Sequence, residues 1–159
     1  MKFLSAPWRW DFISGSKKQV GCVFCNAQKL PDNESFICYR SENFFIILNR
    51  YPYNSGHLMI VPYAHVDSPA GISSGESEEM WELVNKSITV LARSFNPAGF
   101  NIGMNVGKAA GAGIKDHLHL HLVPRWEGDA NFMPVIGKTE VASYDLTTIF
   151  DVLHKEFNR

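Results

Sequence analysis

The sequence predicts an α+β fold, a five-stranded antiparallel sheet carrying one long helix and one carboxy-terminal helix. Short β-branched and aromatic runs are joined by turn-length links, which favours antiparallel pairing of neighbours. Only two segments carry apolar residues at helical spacing. These helices do not alternate with the strands, which argues against a doubly wound parallel sheet.

Residues 1–19 are aromatic-rich and then polar, ending in Ser14-Gly15-Ser16-Lys17-Lys18, and predict an arm laid on the domain surface. Phe36 to Arg40 and Phe44 to Leu48 form a candidate hairpin across Ser41-Glu42-Asn43. Asn49 to Gly56 is turn-rich, and a third strand, His57 to Val61, stops at Pro62. The long helix is predicted over Glu76 to Phe95, with Met80, Leu83, Val84, Ser87, Ile88, Leu91, Ala92 and Phe95 on one stripe, ending at Asn96-Pro97. Phe100 to Val106 predicts a fourth strand, Gly107 to Gly113 a glycine-rich loop, and Asp116 to Pro124 the fifth strand. A last helix from about Asp145 to Phe157 aligns Leu146, Ile149, Phe150, Leu153 and Phe157.

A chain of 159 residues fits one domain that buries a core without disulfide staples. Its formal net charge of −1 supplies no broad field for nucleic acid or an acidic membrane, so neither is an expected partner and a polyanionic ligand must be held locally. Pro7, Arg9 and Asp11 interrupt the first residues before a signal-peptide core can form, and no apolar run reaches membrane-spanning length. Three cysteines, an odd number, give no disulfide framework and fit a reducing, cytoplasmic setting.

The most informative segment is His117-Leu118-His119-Leu120-His121. In a strand, alternation puts the three imidazoles on one face and Leu118, Leu120 and Leu122 on the other, so one face is buried and the other carries chemistry. The loop leading into it, from Asn105 to Asp116, has glycines that let backbone N–H groups converge on an anion, with Lys108 and Lys115 adding charge. Neutral imidazole is a competent nucleophile toward phosphorus. A ring that donates Nδ1–H to a backbone carbonyl offers the lone pair of Nε2, and a neighbouring histidine then serves the departing oxygen. His119, the central residue, has a histidine on either side. Three imidazoles also make a good zinc site, and that reading competes. Cys22-Val23-Phe24-Cys25 divides among zinc, redox chemistry and simple packing; a zinc site needs about four ligands, two of them from elsewhere. Cys38, in a strand, is read as core, and His154 as a surface or packing residue.

The segment His117 to Arg125, His-Leu-His-Leu-His-Leu-Val-Pro-Arg, resembles the signature of the histidine triad (HIT) superfamily. Leu48-Asn49-Arg50, Tyr51 to His57, the strand ending in Pro62, and Met104-Asn105-Val106-Gly107 match in the same order, over roughly residues 22–125. The Pro124-Arg125 ending and Gly128-Asp129-Ala130-Asn131-Phe132 look most like the fragile-histidine-triad branch and bacterial diadenosine tetraphosphate phosphorylases of HIT type. The resemblance implies a HIT-like fold in a single domain, 1–159, with an arm (1–19), a core (22–125) and a carboxy-terminal extension with its helix (126–159). It further implies cleavage of dinucleoside polyphosphates, such as diadenosine tri- or tetraphosphate, at the α-phosphate through a nucleotidyl-histidine.

Carried over residue by residue, the resemblance makes His119 the nucleophile, with His121 by the leaving oxygen and His117 completing the triad. Asn105 and Gly113 lie by the phosphates, Asn49 by the ribose, His57 behind the active-site strands, and Ile47 and Met59 in the slot for the base. Zinc-bearing relatives and the related galactose-1-phosphate uridylyltransferases resemble the set Cys22, Cys25, His65 and His117, which implies one structural zinc and takes His117 out of proton work. No organic cofactor is implied. Proteins of this type are usually homodimers, and the amino-terminal aromatics with Trp126 suit an interface. Two other functions stay open: hydrolysis of adenosine phosphoramidate-type conjugates, against which the Pro124-Arg125-Trp126 ending argues, and a zinc-stabilised nucleotide-binding regulatory module with little turnover, against which an intact His119 argues.

Overall fold

The computed structural model describes residues 21–129 and 145–159. The predicted arm and Ala130-Asn131-Phe132 lie outside the described residues. The observed elements are α1 (Val23–Ala27), α2 (Asp32–Ser35), β1 (Ile37–Arg40), β2 (Phe44–Leu48), β3 (Leu58–Pro62), α3 (Ser74–Phe95), β4 (Gly99–Met104), β5 (Leu120–Arg125) and α4 (Leu146–Phe157). The two short helices α1 and α2 have no counterpart in the sequence reading; at five and four residues they are too short to show an apolar period.

The five strands form one sheet in the order β1-β2-β3-β5-β4, with every pairing antiparallel. Register sorts the side chains by face. The rows Ile46–Ile60–Leu120–Met104 and Leu48–Leu58–Leu122–Ile102 alternate with the row Ile47–Met59–His121–Gly103. Ile46, Leu48, Leu58, Ile60, Leu120 and Leu122 pack with Met80, Leu83, Val84 and Leu91 of α3 and Ile149, Phe150 and Leu153 of α4. Ile47 and Met59 pack on the opposite face with Phe24, Ala27, Ile37, Phe45 and Val61. One face of the sheet is thus the main core, and the other carries α1 and the row containing His121.

Helix α3 starts two residues before the predicted Glu76 because Ser73 caps it: the Ser73 hydroxyl accepts from the Glu76 N–H and the Glu76 carboxylate accepts from the Ser73 N–H. Its buried stripe contains Val90, whereas Ala92 is exposed and Ile88 only partly buried. Asn96 ends the helix in the left-handed conformation, just before Pro97. No helix among the described residues is long and apolar enough to cross a membrane.

The fifth strand differs most from expectation. Its ladder begins at Leu120, not at Asp116, because the polar groups of residues 117–119 bind elsewhere. The Leu118 N–H donates to the Val66 carbonyl at 2.6 Å, and the His117 and His119 rings donate to carbonyls of Pro62 and His117. The leucines still alternate inward, at 3%, 1% and 0% exposure for Leu118, Leu120 and Leu122. The histidine side is not an open face, however, since His117 and His119 are themselves buried.

Candidate active site

The ring nitrogens of four histidines can be assigned from partners whose roles are fixed. A carbonyl only accepts and a backbone N–H only donates. His119 Nδ1 lies 2.9 Å from the His117 carbonyl oxygen, so Nδ1 carries the proton and Nε2 keeps its lone pair. His57 Nδ1 accepts from the Tyr53 N–H at 3.1 Å and from the Asn49 amide at 3.3 Å. Neutral His57 therefore carries its proton on Nε2 and donates it to His121 Nδ1 at 2.9 Å, which leaves His121 with its own proton on Nε2. Side by side, with ring centroids 4.8 Å apart, stand a ring whose lone pair and a ring whose N–H have no partner among the described residues.

Burial keeps this set neutral. It lowers His57 to about 3 and His121 to about 4, in each case reinforced by the neighbouring imidazoles. It also lowers His119, against the opposing hydrogen bond to the His117 carbonyl. At pH 7 all three are uncharged, so the assignments above hold.

His117 faces a different partner. Its Nε2–H donates to the Pro62 carbonyl at 2.9 Å, and Nδ1 lies 3.2 Å from Cys22 Sγ and 3.6 Å from Cys25 Sγ. His65 Nδ1 lies 3.3 Å from Cys25 Sγ, and the four ligand atoms fall within 4.8 Å of one another. A tetrahedral zinc, with bonds of about 2.3 Å to sulfur and about 2.0–2.1 Å to nitrogen, sets ligand spacings of roughly 3.3–3.8 Å. The three sulfur–nitrogen spacings of 3.2, 3.3 and 3.6 Å lie close to those values, and two sulfurs with two nitrogens are a donor set that suits that ion. The Pro62 carbonyl also orients the His117 ring so that Nδ1 faces the two cysteine sulfurs. Burial and the adjacent Cys22 push the Cys25 thiol up, and a cation among the ligands would relieve this. With both nitrogens engaged on this side, His117 has none left for a phosphate.

Residues 31–128 match the family model described as HIT domain. The chain belongs to the HIT domain family. It is 42% identical over 146 residues to a protein of Mycobacterium tuberculosis named AP-4-A phosphorylase, covering 87% of this chain and 75% of the relative. A bis(5'-adenosyl)-triphosphatase of Dictyostelium discoideum is 27% identical over 60% of this chain and 64% of its own length. Among solved structures, a Zn-bound histidine triad family protein from Mycobacterium smegmatis superposes with a TM-score of 0.69 at 26% identity, covering 87% of this chain and 94% of that one. The α+β sheet and helices are those of the HIT fold, and the chain is a HIT-type enzyme.

The remaining expected residues of the HIT site fall as follows. Ile47 and Met59 share a register row with His121 but are covered by Phe24 and its neighbours, at 6% and 8% exposure. Asn105 follows β4 directly, and continuing the Gly103–His121 and Met104–Leu120 register by one residue sets it opposite His119. The Asn49 side chain is occupied within its own link, donating to His57 and accepting from the Tyr51 N–H at 2.9 Å. Gly113 is exposed at the end of the loop. The Gly111 amide, also expected to face an anion, is turned inward to the Lys108 carbonyl by a 3₁₀ turn. Cys38 is fully buried and its thiol is pushed up by that burial; His154 packs on Phe150 and lies 3.7 Å from Asp32.

Three contributors escape the sequence reading. Phe24, between the two cysteines, packs against His117 and His119 with centroids 5.4 Å and 5.2 Å away. Tyr53 stacks on His57 at 5.0 Å. Asp129 clamps the Pro-Arg ending: it accepts two bonds from Arg125 at 2.7 Å, one from Asn54 at 2.8 Å and one from the Trp126 N–H at 3.1 Å. The Arg125 guanidinium holds the Asp129 carboxyl down at about 2. Trp126 is half-buried with its indole N–H on the Phe95 carbonyl, so it is not a freely exposed aromatic. Only the Cys-x-x-Cys spacing and the Tyr-Pro-Tyr-Asn run hinted at the first two.

Proposed function

We propose that this HIT enzyme cleaves dinucleoside polyphosphates, such as diadenosine tri- or tetraphosphate, at the α-phosphate through a nucleotidyl-histidine on His119. The pairing of tautomers carries the reading. Nε2 of His119 forms a bond to the α-phosphorus while the bond to the bridging oxygen breaks, and that oxygen leaves with the electron pair. The positive charge gained by the His119 ring is stabilised through Nδ1–H on the His117 carbonyl. The Nε2–H of His121 hydrogen-bonds the departing oxygen. A second acceptor, water or inorganic phosphate, then displaces His119. Asn105 and the Gly113 amide would hold the non-bridging oxygens.

The state of His121 favours a phosphate leaving group over an amine. A polyphosphate departs as a stable anion and needs only a hydrogen bond. An amine needs full proton transfer, and a ring held at about 4 is not imidazolium at pH 7 and has only the hydrogen-bonding N–H of the neutral form. The similarity to the AP-4-A phosphorylase supports the same side.

Cys22, Cys25, His65 and His117 would hold one zinc ion, whose task is to tie α1 to the histidine segment. A reducing, cytoplasmic setting suits the two cysteines as ligands. A second copy would add at β4, the edge strand, where Asn101, Ile102 and Gly103 are exposed. Sedimentation of the purified protein as a dimer is expected, and a monomer at assay concentration removes that part of the reading.

The direct test is incubation with diadenosine tetraphosphate, with and without phosphate, beside adenosine phosphoramidate. Faster turnover of the dinucleotide is expected. ADP with ATP only when phosphate is present identifies phosphate as the second acceptor, and AMP with ATP identifies water. Preference for the phosphoramidate would overturn the substrate class.

A further inference from the structure

Tyr53 is the most exposed large apolar side chain near the histidines, at 62% exposure, yet its position is tightly set. Its N–H donates to His57 Nδ1 at 3.1 Å, and its ring stacks on the His57 imidazole with an interplanar angle of 24°. The link that carries it is pinned at both ends. The Asn49 N–H donates to the His57 carbonyl and the His57 N–H to the Asn54 carbonyl, while the Asn54 amide reaches the Pro124 carbonyl and Asp129. Gly56 adopts a φ of +77°, and a Cβ there would meet Leu91 at 3.3 Å and Pro124 at 3.4 Å, so the link is also pressed against α3 and β5. One face of the phenol ring is therefore committed to His57 and the other is open to solvent.

The ring also lies beside the residue that faces the leaving group. Its centroid is 6.1 Å from that of His121, whose Nε2–H is the donor to the departing oxygen in the cleavage proposed above. An exposed flat ring on a rigid link beside a departing polyphosphate has the features of a stacking platform for a nucleobase, which binds bases by their faces with little sequence preference. The polyphosphate chain is flexible enough to fold the second nucleoside back onto it.

We propose that Tyr53 is a specificity-determining residue, whose outer face stacks the base of the leaving nucleoside and selects substrates with two nucleosides over those with one. This rests on the dinucleoside polyphosphate reading above. Substitution leaves the backbone N–H on His57, so the assignment of protons along His57 and His121 survives.

The test compares diadenosine tetraphosphate with adenosine 5'-tetraphosphate, which lacks the second nucleoside, on wild type, Tyr53→Ala and Tyr53→Phe. Tyr53→Ala should raise KM for the dinucleotide by about 5- to 150-fold, the range for removing an aromatic platform under one base. It should leave KM for the single-nucleoside substrate unchanged, and Tyr53→Phe should behave as wild type. An equal change for both substrates would make the ring mere packing on His57 and overturn the proposal, as would no change for either. Affinity for the two nucleotides is measured also in His119→Ala and His119→Ala/Tyr53→Ala proteins, where no turnover is needed. Loss of the affinity ratio on removing Tyr53 upholds the platform, and an unchanged ratio refutes it. A wild-type protein that turns over neither substrate refutes the cleavage reading separately.

Discussion

Replacement of His119 by alanine is expected to reduce turnover of diadenosine tetraphosphate by about 10⁴-fold or more, the scale for deleting a covalent nucleophile, while nucleotide affinity largely survives. The expectation follows from the hydrogen bonds rather than from the triad spacing alone. His117 has both ring nitrogens engaged, one on the Pro62 carbonyl and one toward the cysteines. His121 has its lone-pair nitrogen occupied by His57. Of the three, only His119 has a lone pair uncommitted among the described residues. His121→Ala should cost less, on the order of 10²-fold, and the loss should shrink for substrates with better leaving groups, because its Nε2–H acts on the departing oxygen. Rapid quench of a variant with slowed resolution should trap acid-labile nucleotidyl-protein. Near-normal turnover by His119→Ala would remove the nucleophile assignment, as would the absence of any trapped intermediate.

The period-two alternation of Leu118, Leu120 and Leu122 was enough to give the buried face of this segment and to place His121 in the sheet, because leucines opposite polar residues leave one choice of face. The two long helices, α3 and α4, were legible for the same reason, with apolar stripes long enough to show a period. What alternation could not show is which carbonyl each histidine would meet. Pro62 and Val66 come beside residues 117 and 118 only once β3 pairs with β5, and those bonds end the ladder at Leu120. The same holds for Asn49. Its side chain serves Tyr51 and His57 inside its link, and nothing local in Leu48-Asn49-Arg50 distinguishes that from an amide waiting for a ribose. Phe24 was hidden differently. Within Cys-Val-Phe-Cys the cysteines draw the attention, although the ring between them touches both His117 and His119.

Loss of the metal is expected to be felt at His119 through that ring. Purified protein should carry about one equivalent of zinc, the content of a closed four-ligand site. Helix α1 has only five residues, too few to persist without tertiary support, and the cysteines at and within it are its ties to His65 and His117. Cys25→Ser, or extraction by a strong chelator, should therefore release the metal and loosen α1. The main core of the sheet with α3 and α4 lies on the other face and does not depend on it. Phe24 is 1% exposed, and uncovering one such side chain costs about 2–3 kcal/mol. For a domain of this size that is a fall in Tm of roughly 5–10 °C, with the protein still folded at 25 °C. Turnover should fall as well, because Phe24 packs against the His119 ring as well as the His117 ring. Metal analysis and the melting curve read the first two effects without reference to activity. A preparation free of metal that melts and turns over like the wild type would show that the cysteine and histidine cluster is packing alone.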